Sequence, residues 1–388
     1  MSESDRGEGS TEFVTSCMIS GSGLFTPKES ISNAELVESL DQSVQKFNLE
    51  HAEQIAAGQI EERDRPTDRF IVKASGVRQR YVMEKSGVLD PERLRPRLPL
   101  RGEEEPSIQC EMSLAAIREA LAQARRRPEE VDAVLVACSN LQRPYPAVAI
   151  EIQDALGAGG WGYDLNVACS SATFGIQAAV DAVRSGHARC AVVVSPEITS
   201  GHNNFELRDY HFIFGDACTA VVIEACDSCR AEEGFEILGT RLQTKFSNNI
   251  RNDFGFLNRC EDGERPAHDL VFRQRGRKVF QDVCPMVSDQ IRDHLAEHGL
   301  APGDVKRMWL HQANMGMNRL IAKTLLGRDP EPEEAPVILD EYANTSSAGS
   351  VIAFHKYKDD LEPGAVGVLC SFGAGYSIGS VIVRKVRV

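Results

Sequence analysis

The sequence predicts an α/β protein built around a duplicated βαβ-rich unit. Three observations carry this. From about residue 14, short apolar runs alternate with amphipathic helical stretches. Segments of the first half recur in order in the second. Polar or small residues also follow abruptly where apolar runs end, at Cys169, His311 and Asn344.

Residues 1–13 are polar and acidic, so they read as a disordered tail without the features of a secretory signal. Residues 42–68 read as an inserted helix with a loop, and 83–106 as an irregular excursion. Both are charged and weakly periodic, hence candidate lids or interface elements. A helix is expected over 112–126, where Leu114, Ile117, Leu121 and Ala124 recur at helical spacing. The runs 131–137 (VDAVLVA) and 191–195 (AVVVS) read as buried strands. Ile176, Ala179, Val180 and Val183 make another helical stripe, ended by Gly186, which places residues 168–171 at a helix N-terminus.

The repeat pairs VDAVLVACSN (131–140) with VKRMWLHQAN (305–314). It pairs ACSSATFGI (168–176) with NTSSAGSVI (344–352), with four identities in register, and ARCAVVVSPE (188–197) with GAVGVLCSFG (364–373). Two halves are therefore expected, 14–230 and 231–388, joined near 225–233.

Composition narrows the function. The chain has 388 residues, 42% hydrophobic and 26% charged, enough for a large core. A net charge of −14 opposes binding to nucleic acid or to an anionic membrane surface. The eleven cysteines, irregularly spaced and without a signal, read as reduced thiols in a cytoplasm.

Cys169 lies in DLNVACSSATFG, where the positive end of a helix dipole favours thiolate. His311 opens HQAN directly after the apolar MWL, at the carboxyl edge of a strand. Asn344 sits in EYANTSSAGS at another turn into a helix. Each alone has a plain structural explanation, but the repeat places all three at equivalent strand-to-helix edges. A thiol with two neutral hydrogen-bond donors suits thioester chemistry, meaning attack followed by stabilisation of an enolate.

ACSSATFG, HQAN, YANTSSAGS, FGDACTA (214–220) and FGAGYSIGS (372–380) resemble, in order, the motifs of β-ketoacyl-acyl-carrier-protein synthase III, a thiolase-like family. RFIVKASGVRQR (69–80) and RPYPAVAIEIQ (143–153) resemble its earlier segments. The resemblance implies a five-layered αβαβα homodimer without metal or cofactor. Cys169 would take an acyl group from coenzyme A. His311 and Asn344 would stabilise the carbanion left when a malonyl-acyl carrier protein loses carbon dioxide. The backbone N–H groups of Cys169 and Ala374 would form an oxyanion hole. It also implies substrate contacts at Phe70, Tyr145 (reaching across a dimer), Phe214, Asn314 and Arg319.

Departures from the family pattern are specific. Phe70 and Ala74 stand where Trp and Arg are common near the coenzyme's adenine. Gly316 stands where Arg is frequent, and Ala374 where glycine is frequent. The basic cluster Arg273, Arg275, Arg277 and Lys278 is the densest in this acidic chain, a candidate guide for a carrier protein or for coenzyme phosphates. A medium-chain primer is preferred, with a dicarboxylyl primer as the alternative. Rival readings are an acyltransferase of specialised metabolism that does not condense, and a non-catalytic partner subunit. Retention of Asn344 argues against the first, and Cys169 against the second. HLAEH (294–298), Cys226 with Cys229, and the glycines of 373–379 are set aside as metal or dinucleotide signals.

Overall fold

The alternating runs become thirteen strands and ten α-helices in a computed structural model that describes residues 15–263, 265–266 and 270–388. The tail expected over 1–13 lies outside the described residues. Along the chain come β1 (Cys17–Phe25), β2 (Glu29–Ser32), α1 (Asn33–Glu50), α2 (Ala52–Ala56), α3 (Asp68–Ser75) and β3 (Gln79–Val82). Then follow α4 (Ile108–Ala124), β4 (Ala133–Ala137), α5 (Val148–Leu156), β5 (Trp161–Leu165), α6 (Ser171–Arg184), β6 (Cys190–Glu197) and β7 (Ala217–Ala225). The remainder comprises β8 (Glu233–Ser247), β9 (Ile250–Arg251), β10 (Arg273–Gln274), α7 (Gly276–Glu297), β11 (Val305–Leu310), α8 (Met315–Leu326), α9 (Leu339–Tyr342), α10 (Ala348–Lys356), β12 (Val366–Gly373) and β13 (Gly375–Arg387).

Local signals start these helices. Ser32 and Glu35 close a capping box on α1, and the Ser107, Thr67 and Asn314 side chains cap α4, α3 and α8. Helix α1 starts at Asn33, earlier than the insert alone suggested, and α2 follows it directly. No helix or strand occurs between Val82 and Ile108, so the expected excursion is irregular.

The main sheet runs β11-β12-β13-β8-β1-β7-β6-β4-β5. Its middle joint is short, with Cys17–Ile19 of β1 paired to Phe235–Ile237 of β8. Reading outward from that joint, each arm has two antiparallel pairs, β1/β7 and β7/β6 on one side and β8/β13 and β13/β12 on the other, with parallel pairing beyond, β6 with β4 and β12 with β11.

Packing stacks five layers. Apolar faces of α4 and α5 cover one arm through Val134, Val136, Val192 and Val222. Helices α6 and α10 fill the middle, touching Leu135 and Val193 of one arm and Trp309, Leu369 and Val381 of the other. Helices α7 and α8 close the far side over Met308, Leu310, Val368 and Ile382. Burying both sheet faces explains why these strands are continuous apolar runs rather than alternating ones. A fourth cluster, built from α1, α3 and β3 with Phe205, Phe212 and Phe214, caps the carboxyl ends of the strands. Among the described residues no helix is long and apolar enough to cross a membrane.

Candidate active site

Between β5 and α6 a short 3-10 turn, Ala168–Ser170, carries Cys169. Ala168 has φ +47°, in the left-handed region that side chains disfavour, so the chain turns sharply just before the thiol. The turn is tied by its own side chains. Asn166 Oδ1 accepts the Ala168 N–H at 2.9 Å, and Ser171 Oγ accepts the Val167 N–H at 2.8 Å.

His311 stands just beyond β11, where its backbone N–H still reaches the Cys370 carbonyl at 2.8 Å. Its ring meets Phe372 edge to face at 5.2 Å. Nδ1 is buried without a hydrogen bond of normal geometry. Burial holds the imidazole down to about 4, with the Ser346 backbone opposing slightly, so the ring is neutral at physiological pH. A buried lone pair on Nδ1 is cheaper than a buried unpaired N–H, which leaves Nε2 as the donor.

Asn344 follows α9 in a loop where Ala343 (φ +56°) and Ser346 (φ +49°) are also left-handed. Its backbone is clamped across to Phe214. The Asn344 N–H donates to Ile213 O at 3.0 Å, and Asn344 O accepts the Gly215 N–H at 3.2 Å. Its side-chain Oδ1 accepts the Ser346 N–H at 2.8 Å, leaving the Nδ2 hydrogens available.

Cys169, His311 and Asn344 share the wall of one cavity of about 870 Å³, with Phe70, Phe272, Met317 and Phe372 among its apolar lining. Burial pushes the Cys169 thiol up to about 11. The Ser346 hydroxyl and the backbone N–H groups of Ala374 and Cys169 pull the other way, while the Glu197 charge adds to the rise. Burial therefore opposes the pull toward thiolate expected from the helix terminus. Desolvation in the cavity favours the thiol form. The same two N–H groups are the ones expected to form the oxyanion hole.

Behind the site, Glu197 is fully buried at the end of β6. It accepts the Ser139 N–H at 3.0 Å and hydroxyl at 2.6 Å, the Ser347 N–H at 3.2 Å, and the Ser347 hydroxyl. Those bonds tie the Asn344 loop to the ends of β4 and β6. Sequence reasoning missed this residue. Its only signal was an acid closing an otherwise apolar strand.

The other expected residues divide. Phe70 lines the cavity with Ala74, and the Arg208 guanidinium, itself paired to Asp64 at 2.7 Å, lies 4.2 Å over the Phe70 ring. Arg208 had no signal in the sequence. Asn314 also lines the cavity, but its side chain is committed elsewhere. Nδ2 donates to Ala74 O at 2.6 Å, and Oδ1 caps α8 at Gly316 and Met317. Phe214 does not face the cavity. Its ring is buried against Phe272 at 4.6 Å and His202 at 5.0 Å, so it supports the wall from behind. Tyr145 is 82% exposed and lies off this cavity. Arg319 points to solvent and pairs with Asp329 at 3.0 Å. In the basic cluster, Arg273 pairs with Asp253 at 2.6 Å and Lys278 with Asp282 at 3.0 Å. Arg275 lines a neighbouring groove, and Arg277 lines the Cys169 cavity. Of the HLAEH histidines, His294 is buried with its Nδ1 2.8 Å from Ser380 Oγ, and His298 is exposed.

A second cavity of about 510 Å³ lies beside the first, lined by Leu94, Leu98, Leu141, Ile198, Phe205 and Phe254 among others. His202 faces it and stacks on Phe272, which faces the first cavity.

Comparison with known proteins agrees with this geometry. Residues 163–245 match the family described as 3-oxoacyl-[acyl-carrier-protein] synthase III, and 295–385 match its C-terminal part. The chain is 59% identical over 349 residues to a β-ketodecanoyl-[acyl-carrier-protein] synthase of Pseudomonas aeruginosa, covering 90% of this chain and 100% of that protein. It is 28% identical to a β-ketoacyl-[acyl-carrier-protein] synthase III of Granulibacter bethesdensis, covering 95% and 98%. The crystal structure of 3-oxoacyl-[acyl-carrier-protein] synthase III from Aquifex aeolicus superposes with a TM-score of 0.73 at 24% identity, covering 95% and 99%.

Proposed function

The chain belongs to the 3-oxoacyl-[acyl-carrier-protein] synthase III family, and from that premise we propose that it extends a medium-chain acyl primer held on Cys169. It is an acyltransferase of the condensing type. The observation that carries the assignment of roles is the single cavity shared by Cys169, His311 and Asn344.

In the first half-reaction Cys169 Sγ attacks the primer thioester carbonyl. A new C–S bond forms, coenzyme A leaves, and the thiol proton goes to the departing sulfur. The Cys169 and Ala374 N–H groups receive the carbonyl oxygen as it gains charge. In the second half-reaction the malonyl thioester enters. Its carbonyl accepts hydrogen bonds from His311 Nε2–H and Asn344 Nδ2–H, both neutral donors. The bond to the carboxylate breaks, carbon dioxide leaves, and the electron pair is held as an enolate. The enolate carbon attacks the acyl-Cys169 carbonyl, the carbon–sulfur bond breaks, and the released sulfur takes a proton from solvent to recover the thiol. A cationic His311 would bind the malonyl carboxylate itself and retain it, which burial of the ring prevents.

Chain length follows from two supports. The Pseudomonas aeruginosa relative is named for a ten-carbon product, and condensation adds two carbons, so an eight-carbon primer fits. The cavity beyond Phe272 and His202, with Leu94, Leu98, Leu141, Ile198 and Phe205 in a mixed polar and apolar lining, is where we place such a tail. Phe70, under Arg208, is where we place the coenzyme's adenine. Homodimerisation through β5 is supported by that strand's open sheet edge and by exposed Tyr163 and Ile150 nearby. Malonyl-acyl carrier protein is the proposed extender, in a cytoplasmic setting.

The test is intact-protein mass after incubation with acyl-CoAs of two to twelve carbons, beside Cys169→Ala. The eight-carbon primer should load fastest, only on the wild type, and discharge as a ketoacyl carrier product when malonyl-acyl carrier protein is added. Loading without carbon–carbon bond formation would favour the non-condensing rival.

A further inference from the structure

Both proposed thioester substrates end in the same arm, a phosphopantetheine whose phosphate must be held well away from the reacting sulfur. The cavity wall is poor in charge. Among the described residues that line it, Arg277 is the one permanent cation and Asp209 the one carboxylate. The two positions where the family resemblance called for arginine hold Ala74 and Gly316.

Arg277 occupies the first turn of α7, which carries no acidic side chain. Its near neighbours are engaged, Arg273 with Asp253 and Lys278 with Asp282. Arg277 has no ion pair or side-chain hydrogen bond among the described residues. A planar guanidinium left unpaired at the wall of the cavity that holds the nucleophile is matched to a phosphate, which it grips through two parallel hydrogen bonds. Position on α7 explains the division within the cluster. Arg277 is carried onto the same wall as Gly276, Val279, Phe280 and Val283, whereas Arg275, just before the helix, faces the adjoining groove.

We propose that Arg277 is the anchor for the phosphate of the phosphopantetheine arm, replacing the cations absent at 74 and 316. This rests on the reading of the Cys169 cavity as the site of acyl transfer. Arg277 would serve both half-reactions, because coenzyme A and the carrier protein present the same phosphate.

The experiment compares wild type, Arg277→Ala and Arg277→Lys with three primers sharing one eight-carbon acyl group: the coenzyme A, 4′-phosphopantetheine and N-acetylcysteamine thioesters. Rates of Cys169 acylation are read by intact mass. Arg277→Ala should raise the KM for the two phosphate-bearing primers about tenfold to a hundredfold. The phosphate-free thioester should respond at least tenfold less. Arg277→Lys should recover part of the loss, as a point charge without the fork. The second half-reaction, started from acyl-enzyme, should show the same rise in KM for malonyl-acyl carrier protein. An unchanged KM for the coenzyme A primer would overturn the proposal, as would an equal loss with the phosphate-free thioester. A loss confined to the coenzyme A primer would overturn it too, since the contact would then be to the nucleotide. Failure of wild-type Cys169 to load from any of the three would instead defeat the parent reading of the cavity.

Discussion

Gly373→Ala tests how tightly the terminal loop is fitted to the nucleophile. Gly373 ends β12, and a Cβ built there would stand 2.7 Å from Cys169 Cβ and 3.0 Å from its sulfur. Carbon atoms in contact prefer about 3.5–4.0 Å, so the two segments must separate by roughly 0.8 Å or more. Neither can yield easily. Cys169 is held by the tied turn ahead of α6, and Gly373 is paired with Ser377 across the β12–β13 ladder. The same displacement shifts the Ala374 N–H relative to the sulfur. A misplacement of about 1 Å in reacting groups costs on the order of a hundredfold in rate. Overpacking of a well-filled site costs about 1–3 kcal/mol in stability. The expected outcome is a folded protein whose Cys169 acylation by a medium-chain acyl-CoA slows about a hundredfold, with unfolding at modestly lower denaturant. Acylation within threefold of wild type, in a protein of unchanged stability, would refute the reasoning.

Three further outcomes are expected. Glu197→Leu removes the single carboxylate oxygen that accepts both the Ser139 and the Ser347 N–H, leaving two buried donors unpaired. It should lose about 1–3 kcal/mol in denaturant unfolding and slow condensation more than acylation, because it loosens the Asn344 loop; equal effects on both steps would contradict this. Burial holds His202 and His311 near 4 and His211 near 3, below the ordinary 6.5. Such depressed bases contribute stability above pH 6.5 that is lost as pH falls toward 4, at about 1.4 kcal/mol per pH unit for each group. Asp216, raised to about 6 by burial, works against part of that loss below pH 6. Unfolding midpoints should therefore fall between pH 6.5 and 4.5, and a flat profile would show the rings to be solvated. Alkylation of Cys169 by iodoacetamide should accelerate about tenfold per pH unit from pH 7 to 10 in the free enzyme, since its thiol titrates at about 11. A plateau near pH 8 would mean the dipole wins after all.

Much of this molecule was legible in one dimension because its signals are local. Helical spacing at Ile176, Ala179, Val180 and Val183 and the buried runs before His311 follow from periodicity and burial on both sheet faces. Cys169 and His311 could be singled out because each interrupts such a pattern at a strand-to-helix turn, whereas Asn344, expected at a similar edge, follows the short helix α9 instead. What stayed hidden depends on partners far along the chain. Glu197 meets Ser347 across 150 residues, and Asn314 spends its amide on Ala74 across 240. The sequence also could not show that Phe214 supports the wall while Phe272 forms it, or which member of the basic cluster turns toward the cavity. It suggested a thiolate at Cys169 from the helix terminus alone. Only the tertiary structure supplied the surroundings that oppose it, because desolvation is set by everything packed around a group and not by its neighbours in sequence.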